Sequence, residues 1–260
     1  MSDRILAVAL PPLPEVRPGD DLPALIADAW RAAVAVEPEL APTAGDVLVV
    51  TQKVVSKAEG AIVDLRTVSP RAEAVTFAER WGRDPRQVEV VMREAAAIVR
   101  MERGVIITRT RQGFVCANGG VDASNVAPDT VTLLPEDPDR SAREIRVRLG
   151  ELMDVGRDRM PAVVISDSFG RPWRWGIVDV ALGVAGFGPL DDQRGHPDTG
   201  GRIMRATIVA VADEIASAAE LASGKTSSRP VVLVRGATLP PGAGSVIDDV
   251  LMDRAADLFP

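Results

Sequence analysis

Apolar positions along this chain follow two periods. Residues 47–51, 162–166 and 231–234 are short, nearly unbroken apolar runs, the pattern of buried strands. Residues 5–10 read as a first strand, followed by an extended Pro-rich loop over 11–18. From Asp20 or Asp21, either of which can cap a helix, Leu25, Ile26, Ala29, Trp30, Ala33 and Val34 recur at helical spacing. A turn over 42–46 leads into the 47–51 strand. Ser69-Pro70 and Asp84-Pro85 both read as helix starts, one helix running towards Trp81 and the other towards Val99. Residues 105–108 and 114–117 alternate around Gly113 as strands do, and 141–149 form a charged helix. The strand at 162–166 delivers Asp167 at its end. Residues 177–184 are apolar but interrupted by glycine, and 186–202 make a long loop rich in Gly, Asp and Pro. A strand over 206–211 and a helix over 213–222, with Gly224 near its stop, complete the pattern.

No internal repeat and no low-complexity linker divides the sequence. Strands and helices mix without a steady strand–helix–strand rhythm, which points to an α+β fold with two lobes. At about 150 residues per domain, the length of 260 sits between one large unit and two small ones. No apolar run reaches the roughly 18–20 residues of a membrane span. The opening Met1-Ser2-Asp3-Arg4 leads only into a short apolar stretch broken by Pro11 and Pro12, unlike a signal peptide. A cytoplasmic protein is expected.

Composition narrows the chemistry. One histidine, His196, leaves no room for a multi-His zinc site. One cysteine, Cys116, excludes an intrachain disulfide, a CxxC redox pair and an iron–sulfur cluster held by this chain alone. A net charge of −7 argues against a general nucleic-acid binder, which needs a basic face. Among the 30 basic residues only Lys53, Lys57 and Lys225 are lysine, and the only asparagines are Asn118 and Asn125. An Arg-for-Lys bias follows from a GC-rich coding genome, and it makes the surviving lysines informative.

Candidate chemistry concentrates in four segments. In the first, a strand ends in Thr51-Gln52-Lys53 and Lys57 follows four residues later. If the chain turns helical there, both ammonium groups share one face and suit a polyphosphate; solvated surface lysines are the plain alternative. The second, residues 117–126, holds both asparagines, Gly119-Gly120 and Asp122. Its oxygens suit Mg²⁺ or Mn²⁺, and an Asx-rich turn accounts for the same residues. The third, residues 163–176, presents Asp167 at the end of a buried strand, followed by a hydroxyl and glycine, as a metal ligand on a rigid element, with Arg171 and Arg174 able to clamp a phosphate or carboxylate. Its bland version is a helix N-cap at Asp167. The fourth, Ser223-Gly224-Lys225-Thr226, is not a P-loop: the first glycine of G-x-x-x-x-G-K-[ST] would fall at Ala219, and the motif trails a helix instead of opening one. Lys225 still offers a point charge to phosphate. His196 reads as a loop residue and Cys116 as a small buried hydrophobe, so Ser-His-Asp hydrolysis has little support.

Three of these stretches, Lys53-Val54-Val55-Ser56-Lys57-Ala58-Glu59-Gly60, Gly120-Val121-Asp122-Ala123-Ser124-Asn125-Val126 and Asp167-Ser168-Phe169-Gly170-Arg171-Pro172-Trp173-Arg174, resemble the coenzyme F-420:L-glutamate ligase family, the F-420-0 gamma-glutamyl ligases. The similarity extends from residues 13–22 through 212–221 to Val234-Arg235-Gly236. The resemblance implies a GTP-dependent ligase that adds L-glutamate to the lactyl carboxylate of a deazaflavin precursor and extends a γ-linked oligoglutamate tail through an acyl phosphate. It implies an α+β homodimer formed by a single two-lobed ligase domain over 1–260, needing Mg²⁺ or Mn²⁺ and assisted by K⁺. By the same resemblance Asp122 and Asp167 are metal ligands, with Ser168 at a second metal position. Leu13, Pro14, Glu15, Val16, Gln52, Lys53, Lys57, Asn125, Gly224 and Lys225 are nucleotide contacts. Asp122, Asp167 and Lys57 would carry catalysis, and Arg174 is a candidate substrate contact. Archaeal members carry glutamine, as a ligand to the second metal, where Lys225 stands; a protonated lysine cannot serve as that ligand. Bacterial fusion members share the Gly-Lys pair but continue into a flavin-binding reductase-like domain, an activity this chain is expected to lack. A metal- and nucleotide-dependent phosphotransferase, or a non-catalytic nucleotide- or deazaflavin-binding protein, would share the same Lys and Asp clusters.

Overall fold

The structure of the protein, a computed structural model, describes residues 4–156, 159–225, 227–253 and 255–257. Thr226 of the rejected P-loop lies outside them. In chain order the elements are β1 (Leu6–Ala9), α1 (Leu22–Val36), β2 (Val47–Thr51), α2 (Gln52–Ala58), β3 (Ile62–Asp64), α3 (Ala72–Trp81), α4 (Pro85–Glu94), β4 (Ala95–Glu102), β5 (Val105–Thr110), β6 (Val115–Ala117) and β7 (Thr130–Thr132). Then follow α5 (Pro138–Leu152), β8 (Ala162–Arg171), β9 (Arg174–Ala185), β10 (Asp191–Asp192), β11 (Ile208–Val209), α6 (Val211–Ser223), β12 (Val231–Arg235) and a π-helical turn at Val246–Val250.

The centre is a five-stranded mixed sheet in the order β1-β12-β2-β8-β9. β2 and β8 pair in parallel, from Val47 opposite Ala162 to Thr51 opposite Ser166, while the other neighbours are antiparallel. The apolar runs 47–50, 162–165 and 231–234 are buried at every position, as expected of strands covered on both faces. Helices α1 and α5 pack together, α5 lies on β8 and β9, and α6 crosses β1, β12 and β9. A second sheet, β4-β5-β6, carries α3 and α4 on a smaller core of Phe77, Val88, Val91, Met92 and Ile106. The β3–β7 pair closes a third cluster around Leu65 and Val131.

Local chemistry explains most boundaries. Asp21, Asp84 and Asp137 cap α1, α4 and α5, their carboxylates accepting the N–H of Ala24, Arg86 and Arg140 at 3.0, 2.8 and 2.8 Å. Gly82 and Gly224 end α3 and α6 with positive φ.

Several expectations need correction. The helix from Asp84-Pro85 stops at Glu94, and residues 95–102 form β4, paired with β5. Tertiary pairing there overrides the helical preference of Ala95-Ala96-Ala97. The 69–81 helix begins at Ala72 with Arg71, not Ser69, as its N-cap residue, and the charged helix is longer than 141–149. The 206–211 strand shrinks to Ile208–Val209 because α6 starts at Val211. β8 does not end at Asp167: past its parallel pairing it continues to Arg171 as a hairpin with β9. β3 and β7, too short to show a period, have no counterpart in the sequence reading.

One close approach fixes how α5 sits on the sheet. A Cβ on Gly183 would lie 2.3 Å from the carbonyl carbon and oxygen of Pro138, at the start of α5. Backbone cannot yield as a side-chain tip can. Gly183→Ala is expected to destabilise the fold by about 3 kcal/mol or more. A urea midpoint that does not move would refute this packing.

Candidate active site

A cleft of about 1110 Å³ opens where the end of β2, the second half of β8, the loop after β6 and the C-terminus of α6 meet. Leu13, Pro14, Glu15 and Val16 wall one side, with Gln52, Lys53 and Lys57 of α2 beside them. Asp122 and Asn125 come from the loop, Asp167 and Ser168 from β8, and Gly224 and Lys225 from beyond α6. The structure thus gathers residues from five separate stretches of sequence. Arg174 is not among the lining residues: it is exposed at the start of β9, opposite Arg171 at the hairpin turn. Asn118 also lies elsewhere, its Oδ1 accepting the N–H of Ile106 at 3.2 Å. His196 is exposed in the 186–202 loop.

The chain does turn helical after Thr51. Lys53 and Lys57 stand one turn apart on α2 and both reach the cleft, where each meets a carboxylate. Lys57 Nζ, on a side chain only 9% exposed, lies 2.6 Å from Glu15 Oε1, whose side chain is 70% exposed. Lys53 Nζ lies 2.6 Å from Asp122 Oδ2 and donates to the carbonyl and hydroxyl oxygens of Ser124 at 3.0 and 2.5 Å. Gln52 is buried, its Oε1 accepting from Ser56 Oγ at 2.7 Å.

Asp122 is held by backbone pairing with Thr132, the two residues exchanging N–H···O bonds of 3.1 and 2.9 Å. Its carboxylate also accepts the Ser124 N–H at 2.6 Å. Burial works to raise its pKa, but hydrogen bonds from Lys53 and Ser124 prevail and leave it below the usual value. Asp167 behaves oppositely. It is half-buried and walled in by protein on the cleft floor, and desolvation pushes it up to about 7; the Ser168 N–H opposes this, while Asp179 and Asp122 add repulsion. Cys116 also borders the cleft, but burial first, then the Asp167 charge, push its thiol up to about 12, which removes it as a nucleophile.

Asp179 is a site residue absent from the sequence reading. The residue is 5% exposed, and its carboxylate accepts from Ser168 Oγ at 2.5 Å, Ser166 Oγ at 3.2 Å and Lys225 Nζ at 3.2 Å. Neighbouring backbone is pinned to α6, with the Ala181 N–H donating to Asp213 Oδ1 at 2.9 Å and Ser217 Oγ to the Asp179 carbonyl at 2.8 Å. The signal was available: Asp179 is the single charge in the apolar stretch 177–185.

Both asparagines have a backbone reason to be where they are. Asn118 and Asn125 each adopt φ of 54°, a left-handed conformation that asparagine tolerates better than most residues. Asn125 serves the turn and the cleft together; Asn118 serves the turn and ties it to β5 through Ile106.

The fit to a metal differs between the two ends of the cleft. Among the described residues, no group of three or more His, Cys, Asp or Glu side chains is placed to hold an ion. Mg²⁺ asks for less, because one or two carboxylates suffice when water and phosphate complete its shell. Asp167, with a carboxylate left short of positive charge, and Asp122 meet that need. Each end has an ammonium, Lys53 on Asp122 and Lys225 on Ser168 and Asp179, but among the described residues no ion pair reaches Asp167.

Comparison with known proteins gives the class first: this chain is an enzyme, a ligase. Residues 12–236 match the family model described as F420-0:Gamma-glutamyl ligase. Proteins named coenzyme F420:L-glutamate ligase are similar along most of their length. The one from Methanopyrus kandleri is 50% identical over 225 residues, covering 85% of this chain and 83% of its own. That of Methanothermobacter thermautotrophicus is 47% identical over 193 residues, covering 74% and 75%. That of Methanocaldococcus jannaschii is 41% identical over 216 residues, covering 83% and 84%. The chain belongs to the F420-0:gamma-glutamyl ligase family.

Proposed function

We propose that this ligase joins the amine of L-glutamate to the carboxylate of the deazaflavin precursor F420-0, driven by GTP, and then extends a γ-linked glutamate tail. The observation that carries the reading is the meeting of Lys53, Lys57, Asp122 and Asp167 in one cleft of a chain from this family. A carboxylate is a poor electrophile. Attack of its oxygen on the GTP γ-phosphorus releases GDP and forms an acyl phosphate. Attack of the glutamate nitrogen on the acyl carbon then forms the amide, expels phosphate and gives up a proton to water. Such transfers depend on positioning and charge neutralisation and need no histidine or cysteine nucleophile.

Lys57 suits this role because a nearly buried ammonium acts at low dielectric, where its charge is weakly screened. Glu15 and Asp122 hold the two ammonium groups until phosphate oxygens replace them. Asp122 and Asp167 would hold Mg²⁺ or Mn²⁺, which when bound supplies charge that neutralises phosphate oxygens. Assistance by K⁺, a homodimeric assembly and a cytoplasmic setting complete the proposal.

Incubation with GTP, Mg²⁺, L-glutamate and the deazaflavin precursor tests it. Product mass rising in glutamate steps, with stoichiometric GDP and phosphate, is the expected result. GTP hydrolysis without conjugation would favour a phosphotransferase, and binding without turnover a carrier protein. Lys57→Met is expected to weaken GTP binding roughly ten- to a hundred-fold, the scale of a charged hydrogen bond. An unchanged KM for GTP would remove Lys57 from the nucleotide site.

A further inference from the structure

One end of the cleft carries a cation of its own. Lys225 follows the C-terminus of α6, where Gly224 N–H caps the Glu220 carbonyl at 2.8 Å. Its ammonium meets oxygens from three elements: Ser168 Oγ on β8, Asp179 Oδ1 on β9 at 3.2 Å and Glu220 Oε1 on α6 at 3.5 Å. A lysine ammonium has three N–H donors, so this set matches it in number. The C-terminal end of α6 adds a partial negative charge that favours a cation at the same point. Asp179 is nearly fully buried, and a carboxylate so placed needs a fixed positive partner. The Lys225 side chain is 48% exposed, so its charge faces the cleft and is not sealed in the core.

We propose that Lys225 is a tethered cation, filling the position at the Ser168–Asp179–Glu220 end where a second divalent ion would otherwise be held, so that this chain binds a divalent ion only at the Asp122–Asp167 end. A divalent ion needs oxygens at about 2.0–2.6 Å; here one ammonium engages all three oxygens of the set, whereas at the other end Lys53 meets Asp122 but, among the described residues, no ion pair reaches Asp167. The covalent charge stays in place when soluble metal is scarce. Its use in neutralising phosphate rests on the ligase reading; its occupancy of the position does not.

Mn²⁺ alone is the probe, with free Mn²⁺ followed by electron paramagnetic resonance during titration of the full chain without substrates. Lys225→Gln and Lys225→Met are each expected to take up one more equivalent of Mn²⁺ than the wild type, and the Lys225→Gln/Asp179→Asn double variant to lose that gain. Circular dichroism reports folding, and the Met variant serves if the Gln variant does not fold. Equal Mn²⁺ stoichiometry in the wild type and the folded Lys225 variants overturns the proposal, as does a gain that survives Asp179→Asn. Because no substrate is present, either result leaves the glutamyl-transfer assay to judge the ligase reading separately.

Discussion

Asp167→Asn is expected to lower glutamyl transfer by roughly 10³-fold or more, the scale seen when a group that stabilises transition-state charge is lost. The fold should survive, since an amide fits the same volume and is easier to desolvate than a carboxylate. Asp122→Asn should act similarly for a second reason. Its carboxylate lies 2.6 Å from Lys53 Nζ, so on the proposed reading the substitution would remove an oxygen from the metal and also release the ammonium assigned to phosphate. The measurement is kcat at limiting Mg²⁺, with circular dichroism to establish folding. A wild-type rate in either variant would remove that carboxylate from the metal and from the reaction. If instead excess Mg²⁺ restores the rate of the Asp122 variant but not the Asp167 variant, the two share the ion unequally, with Asp167 dominant.

The two lysines of α2, Asp122 and Asp167 were legible because each sits in a short run where residue type and spacing together suit one chemistry. A strand-to-helix junction puts Lys53 and Lys57 on one face by geometry alone, whatever the rest of the fold does. Asp179 was not legible in that way. Its importance comes from antiparallel register, which sets it opposite Ser168 across the β8–β9 ladder, and register between strands is a tertiary property. The same limit hid β4. Residues 95–100 have no helix-breaking residue, and only pairing with β5 makes them a strand. Scarcity of asparagine pointed to a loop that borders the cleft for a partly different reason, since Asn118 adopts a left-handed backbone angle and bonds Ile106 outside the cleft. Arg174 shows the converse: a residue suited to clamp an anion, adjacent in sequence to the site, stands outside the cleft lining at the turn of the β8–β9 hairpin.

In metal-free protein, stability is expected to fall as pH rises from about 4 to about 7, and Asp167→Asn is expected to abolish much of that fall. The sign follows from linkage. Asp167 is raised from an ordinary 3.8 to about 7 in the folded chain. Between those values the folded state holds the proton more tightly than the unfolded state, so stability declines with rising pH across the window and levels off above it. The full span corresponds to at most about 4 kcal/mol, reduced by whatever solvent in the cleft screens the charge. The wild type and the Asn variant should therefore have similar urea midpoints near pH 4, where both folded side chains are neutral and the linkage loss has barely begun, and diverge in the variant's favour towards about pH 8 in EDTA. Mg²⁺ should then close the gap at pH 8 from the wild-type side, because an ion bound only by the folded state stabilises it by mass action. Glu59 and Asp213, also raised by burial, titrate in both proteins, so the comparison isolates Asp167 from them. An Asn variant less stable than the wild type at pH 8 in EDTA would mean that the cleft already balances the Asp167 charge without a metal, and the case for a divalent ion at this end would fall with it.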